Sequence, residues 1–518
     1  MADRFMKGTL ILAAAGLMVK VLGSVNRILL SRLLGGEGIG LYQIAYPIYL
    51  LLVSLSAAGI PAAISIMISQ RAAARDQKGA RQVLWTSVGL MFLGGLALAA
   101  LALGLIPWLI DSHIIKDARA RYAMLALVPA IAISIPVSCF RGYFQGFQEM
   151  VPTAVSQIAE QFTRVVTMVI LAYLLLPQGL PMAAAGAAFG AVPGAIASLL
   201  ILGGFYYKQQ RRWRTLESAS AVTERVSVSR TAWQIITLAL PVTCANLMVP
   251  VVSGIEMILV PDRLLAAGFT VAASTQALGY LSGMAMPLVN MGTIPTNSLA
   301  ASVVPAISEA KVLHRRDLMQ DKAQRAIRFF LLLNLPAAVG VCVLGAPFSR
   351  LLYGTSHAGA VITALAPAIF FLGLHQVSTA ILQGLGHTRI PMINMLLSLV
   401  VKVSLLWVLA ANPAYNILGA AWATDANLAL AGCANVFFMY KTDKITFPFV
   451  HLGRILIASA VMGGAVLFAW KNVLSKALPF VPGILATVAL GAALYLAALL
   501  LTKEVSVGEL KKLLKRKN

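Results

Sequence analysis

Apolar stretches of about 20 residues recur along the whole chain, the length a helix needs to cross the hydrocarbon of a bilayer. Short polar, glycine- or proline-bearing segments separate them. The pattern predicts fourteen membrane helices, near 9–34, 41–69, 84–108, 121–142, 152–176, 181–206, 233–260, 272–305, 326–346, 358–385, 390–411, 416–440, 453–471 and 481–501. The longest interruption is a basic loop at 207–232. The expected fold is an all-α polytopic membrane protein of two six-helix lobes, 1–206 and 233–440, joined by that loop. A last part, 441–518, holds helices 13 and 14 and a basic tail.

Composition agrees. Of 518 residues 59% are hydrophobic and only 11% charged, where a soluble domain carries about a quarter. The net charge of +23 raises nucleic acid as a partner, but its distribution argues against one. Alternate segments, counted from the N-terminus, hold 29 Lys and Arg, the opposite loops hold 8, and Lys20, Arg27, Arg164 and Lys402 lie within helices. Basic residues gather on the cytoplasmic side, so a cytoplasmic (inner) membrane with both termini cytoplasmic is expected. The first apolar run is too long, and carries too much internal charge, for a cleaved signal, and reads as a retained helix.

Two short passages repeat. Gln145-Gly146-Phe147 followed by Pro152 opens helix 5, and Gln383-Gly384-Leu385 followed by Pro391 opens helix 11. Arg164 and Lys402 follow about three turns later. Six helices and the loop separate the copies, an even number, so the repeat is parallel, with its axis along the membrane normal. A cavity between two such lobes is where a transporter of this kind places substrate.

Charges inside a membrane helix cost about 2.5–3.5 kcal/mol on insertion scales and face protein or water. On helix 1, Gly16, Lys20, Gly23, Arg27 and Ser31 share one face, with Asn26 beside them, a stripe suited to a wet, anion-attracting cavity. The bland alternative is ion pairing for packing. Helix 5 carries Thr153, Gln157, Glu160, Arg164 and Thr167, where Glu160 and Arg164, four apart, can pair with each other. Further polar positions are Asn246, Ser253 and Glu256 on helix 7, which Pro241 and Pro250 interrupt, Gln276, Tyr280, Asn290 and Asn297 on helix 8, and Asn394, Ser398 and Lys402 on helix 11. For the amides alone, interhelical hydrogen bonding is the commoner explanation. Tyr42, Tyr46 and Tyr49 read as interfacial anchors rather than a sugar-stacking surface. Gly186, Gly190 and Gly194 permit close helix contact.

Four dispersed cysteines and six histidines have no disulfide or metal-ligand spacing, so no metal is expected. There is no phosphate-binding G-x-x-x-x-G-K-[ST] loop, no nucleophile elbow and no loop long enough for a catalytic domain. Neither an enzyme nor a cofactor is expected. Transport driven by potential, an ion gradient or substrate supply remains.

The stretch K-G-T-L-I-L-A-A-A-G-L-M-V-K-V-L-G-S-V-N-R-I-L-L-S-R-L-L-G-G-E-G-I-G-L-Y resembles the opening of the polysaccharide-biosynthesis branch of the MOP flippases, in its MurJ-like SpoVB/YtgP group. I-P-T-N-S-L-A-A-S-V-V-P-A-I-S-E-A at 294–310 and Q-G-L-G-H-T-R-I-P at 383–391 match the same group. The resemblance covers essentially the whole chain. It implies a V-shaped pair of lobes that flips lipid-linked sugars by alternating access, with lipid II as the expected cargo. It also implies cavity-facing cations at Lys20, Arg27 and Arg32, and an apolar groove at helices 13 and 14 for the polyprenyl tail. The implied partners are an anionic polyprenyl-linked sugar and the bilayer, and a monomer is expected. The chain departs from MurJ in having Asn26-Arg27 for Arg-Asp, and no basic residue between Arg32 and Arg71. The substrate-binding set expected is Lys20, Asn26, Arg27, Arg32, Glu160, Arg164, Glu256, Asn290, Asn297 and Lys402. A flippase for another lipid-linked oligosaccharide, a cation-coupled drug antiporter and a non-transporting scaffold stay open as rivals.

Overall fold

In a computed structural model of the chain the described residues are 2–57, 59–74, 76–214 and 227–505. The middle of the basic loop, 215–226, and most of the basic tail, 506–518, fall outside them. The described residues are helical almost throughout, without a strand. Eleven segments among them are long and apolar enough to cross a membrane. One, Ala14–Ala73, has 60 residues; at 1.5 Å per residue it would reach about 90 Å as one rod, so it is more than one crossing. Expected helices 7 and 8 are helical as well, though they are not among the eleven.

The chain divides into two compact units. The first is Met1–Asp262 with Thr270–Gly279. It contains α1 (Ala2–Ala57), α2 (Ile60–Ala73), α3 (Gln77–Asp111), α4 (Arg121–Gly146), α5 (Met150–Leu175), α6 (Leu180–Phe189), α7 (Ala191–Arg214), most of α8 (Val228–Ala266), and α9 (Val271–Leu278). Gly35, at φ 66° and ψ −172°, breaks α1 in a conformation that only glycine adopts without strain. Expected helix 2 is thus two pieces, one after Gly35 and one from Ile60. At the second break the Gly59 N–H donates to Thr243 Oγ1 of α8 at 3.1 Å. A β-carbon on Gly59 would meet the Ala239 carbonyl at 2.1 Å. The core joins Ile64 and Ile68 of α2, Leu84 of α3, Phe140 and Phe144 of α4, and Ile235 of α8. Outward, α3 exposes Leu93, Leu96, Leu101 and Leu103, the inside-out pattern of a helix in lipid.

A polar clasp lies at one end of this unit. Buried Asp117 accepts from Arg119 and from Thr275 Oγ1 of α9, the latter at 2.8 Å, and Arg119 reaches Glu37 at 2.6 Å. Beside it α9 lies against α1, backbone to backbone. A β-carbon on Gly40 would meet the Thr275 carbonyl, and one on Gly279 the Gly36 carbonyl, each at 2.0 Å.

The second unit is Arg263–Phe269 with Tyr280–Asn518. It contains α10 (Met286–Gly292), α11 (Ile294–Val312), α12 (Arg316–Val343), α13 (Gly345–Tyr353), α14 (Gly359–Leu365), α15 (Pro367–Gly384), α16 (Arg389–Leu409), α17 (Asn416–Asp443), α18 (Phe449–Ala469), the short α19 (Ser475–Ala477) and α20 (Phe480–Leu501). Expected helix 8 is therefore not continuous. A π-helical turn at Gly279–Ala285 follows α9, and Pro287 and Pro295 restart α10 and α11 at positions where the missing N–H costs nothing. The core gathers Ile307 of α11, Phe330 of α12, Ile381 of α15, Ile455 of α18 and Leu499 of α20. Buried Glu504, just past α20, accepts from Arg328 Nε of α12 and lies 2.7 Å from His451 Nδ1 of α18. It fastens the last two long helices to α12.

The repeat is visible in the glycines. A β-carbon on Gly146 of α4 would meet the Ser65 carbonyl of α2 at 2.9 Å, and one on Gly384 of α15 the Val304 carbonyl of α11 at 2.8 Å. Each Gln-Gly pair thus ends a helix at a tight crossing.

Candidate functional site

The site in the first unit begins at the Gly35 break. Arg27 and Gln43 are 16 residues apart, about 24 Å along a straight helix, yet Arg27 Nη1 donates to Gln43 Oε1 at 2.6 Å. The break folds the second part of α1 back along the first. It also places the Arg27 guanidinium over Tyr42 and Tyr46, at 5.6 and 5.5 Å from their ring centroids. Tyr42 stacks on Tyr46, and Tyr46 leans on Tyr49. Tyr42 and Tyr49 are buried. The tyrosine stripe is an internal ladder carrying a cation, and the interfacial reading is corrected.

Arg164 of α5 lies within electrostatic reach of the same three tyrosines. It pairs with Glu160 as the four-residue spacing foretold, Nη2 to Oε1 at 2.8 Å. The second partner of Glu160 is Arg141 of α4, Nη2 to Oε2 at 2.8 Å. The loop count had assigned Arg141 to the segment after helix 4, although the expected range 121–142 contains it. The continuing apolar run Tyr143, Phe144 and Phe147 was the signal that α4 extends past it. Arg141 is held further by Ser156 Oγ at 3.2 Å and Ser198 Oγ at 3.0 Å, both serines fully buried. The Arg164 side chain makes only its Glu160 bond among the described residues, and its buried Nε has no partner there. Two guanidiniums on one carboxylate leave one positive charge over.

The small residues of the expected helix 6 set this geometry. A β-carbon on Gly194 would meet the Glu160 carbonyl at 2.9 Å and Arg164 Cβ at 3.1 Å, and one on Gly190 would meet Met168 Cγ at 2.2 Å. Only glycine lets α7 come this near to the charged turn of α5. Buried Asn26 donates to Met168 Sδ at 3.3 Å, while its Oδ1 has no partner among the described residues.

The fold thus brings Asn26, Arg27, Glu160 and Arg164 to one side of the first unit. Lys20 and Arg32 are exposed on α1, and Glu256 is half-buried on α8. In the second unit Lys402 is buried on α16, Asn290 is exposed and Asn297 half-buried. Asn394 donates to Asn435 Oδ1 at 2.8 Å, and Asn435 to Thr379 Oγ1 at 3.0 Å. Among the described residues no cluster of His, Cys, Asp and Glu has metal-site geometry.

The family model described as polysaccharide biosynthesis protein matches residues 5–311. This chain belongs to that family. Within it, the chain falls in the SpoVB/MurJ branch of the MOP-superfamily flippases and is a multi-pass membrane protein. The MatE model matches residues 267–408. The chain is 31% identical to stage V sporulation protein B of Bacillus subtilis (strain 168) over 98% of its own length and 97% of the relative's. It is 26% identical to the lipid II flippase MurJ of the same organism, over 78% of this chain and 77% of that one. Its fold matches the inward closed conformation of a lipid II flippase MurJ with a TM-score of 0.70 at 16% identity, over 95% of this chain and 98% of the other.

Proposed function

We propose that this flippase carries an undecaprenyl-pyrophosphate-linked sugar, with lipid II first in line, across the cytoplasmic membrane by alternating access. The observation that carries the reading is the excess of positive charge in the first unit. Arg27 sits on a tyrosine ladder, and Arg141 and Arg164 share one carboxylate. Guanidiniums match phosphate oxygens with paired donors, and a membrane protein keeps unbalanced charge at depth only where it serves function. A cation-coupled antiporter needs the opposite balance, buried acids facing a positively charged cargo.

The accompanying architecture is fourteen helices in lobes 1–206 and 233–440, with helices 13 and 14 beside them and both termini cytoplasmic. The protein acts as a monomer with the bilayer and an anionic polyprenyl-linked sugar as partners, and without nucleic acid or cofactor. The substrate set is Lys20, Asn26, Arg27, Arg32, Glu160, Arg164, Glu256, Asn290, Asn297 and Lys402. Purified protein in proteoliposomes tests the cargo by comparing translocation of lipid II with that of another undecaprenyl-pyrophosphate oligosaccharide. Faster movement of lipid II is expected. Preference for the second lipid reassigns the glycan, and movement of neither ends the flippase reading.

A further inference from the structure

The two units answer the same packing problem differently. Thr379, Asn394 and Asn435 stand 238, 238 and 237 residues after Arg141, Ser156 and Ser198. In each unit these three positions join the equivalent helices. In the first, Arg141 bonds Ser156 and Ser198; in the second, Asn435 bonds Thr379 and Asn394. The position equivalent to Glu160 is Ser398, fully buried, its hydroxyl turned back to the Met395 carbonyl. The positions equivalent to Arg141, Ser156, Ser198 and Glu160 are therefore all neutral in the second unit, while buried Lys402 stands at the position equivalent to Arg164. Arg141 and Glu160 put charge where packing does not require it.

What that charge does follows from how the donors are used. Arg141 commits its Nε and Nη2 donors to Glu160 and the two serines, whereas Arg164 keeps an unpartnered buried Nε. Glu160 with Arg164 alone is a neutral pair that offers an anion nothing. With Arg141 added, the carboxylate is held and neutralised from behind, and Arg164 regains a net charge.

The geometry points to Arg141 as a positioning residue. It sets the Arg141–Glu160–Arg164 trio at a net single positive charge, so that Arg164 can hold a phosphate of the lipid carrier. This rests on the flippase reading above.

The test is charge rescue, using the purified full chain in nanodiscs titrated with undecaprenyl pyrophosphate. Arg141→Gln makes the trio neutral and weakens binding about tenfold, the size of one charge-assisted contact. Arg141→Gln with Glu160→Gln restores the single positive charge and brings affinity back toward wild type. A purely structural role predicts the reverse, since the double variant loses more bonds. A double variant no tighter than Arg141→Gln, or an Arg141→Gln that binds like wild type, overturns the inference. Should Arg141→Gln not fold, Glu160→Gln alone decides. It raises the trio to two positive charges and binds more tightly than wild type, and equal or weaker binding overturns the inference. Wild-type protein that binds no undecaprenyl pyrophosphate removes the flippase reading itself, an outcome distinct from the others because they all begin from wild-type binding.

Discussion

Arg27 is held from two directions, by the Gln43 amide oxygen and by the faces of Tyr42 and Tyr46. Cation–π contact away from bulk water is worth about 1–2 kcal/mol. It fixes the guanidinium without neutralising it, as an anion site requires. Arg27→Ala should weaken undecaprenyl pyrophosphate binding roughly tenfold or more, and abolish rescue of cells depleted of their lipid II flippase at normal expression. Full rescue removes Arg27 from the site. Its neighbour Asn26 is buried against Met168 in the α1–α5 crossing.

Among elements, α5 carries the charged turn and α7 sets its height. Gly194→Val would drive a side chain into the Glu160 carbonyl and Arg164 Cβ, and overpacking of this kind costs about 1–3 kcal/mol. A lower melting temperature in detergent, together with weaker phosphate-lipid binding, is expected. Unchanged melting would mean that α5 and α7 separate without cost. The Glu160–Arg164 pair was legible because it is local, four residues along one helix. Arg141 was not, since it lies on another helix and is joined to Glu160 only by packing. The tyrosines were misassigned for a similar reason. Their spacing marks a stripe, but the fold-back at Gly35 decides whether that stripe meets the interface or the interior.

For the whole molecule, the charge asymmetry of the loops predicts sidedness. In a variant without the native cysteines, His113→Cys, between α3 and α4, should react with a membrane-impermeant maleimide in intact cells. Arg316→Cys, at the start of α12, should react only after lysis. The opposite pattern would invert the protein in the membrane. Neither His113 nor Arg316 is buried or placed in the site, so labelling reads topology alone. The sequence by itself determined what is periodic or additive: the membrane class from the length of apolar runs, the parallel sense expected of the repeat from an even helix count, and the charge balance of the loops. The tertiary structure decided what depends on close approach between distant segments. It broke helices 2 and 8 at glycines and prolines, turned the tyrosine ladder inward beneath Arg27, and set Arg141 behind Glu160. Hydrophobicity accumulates along a chain and can be counted there, whereas a hydrogen bond between α4 and α5 exists only once packing has brought them to 2.8 Å.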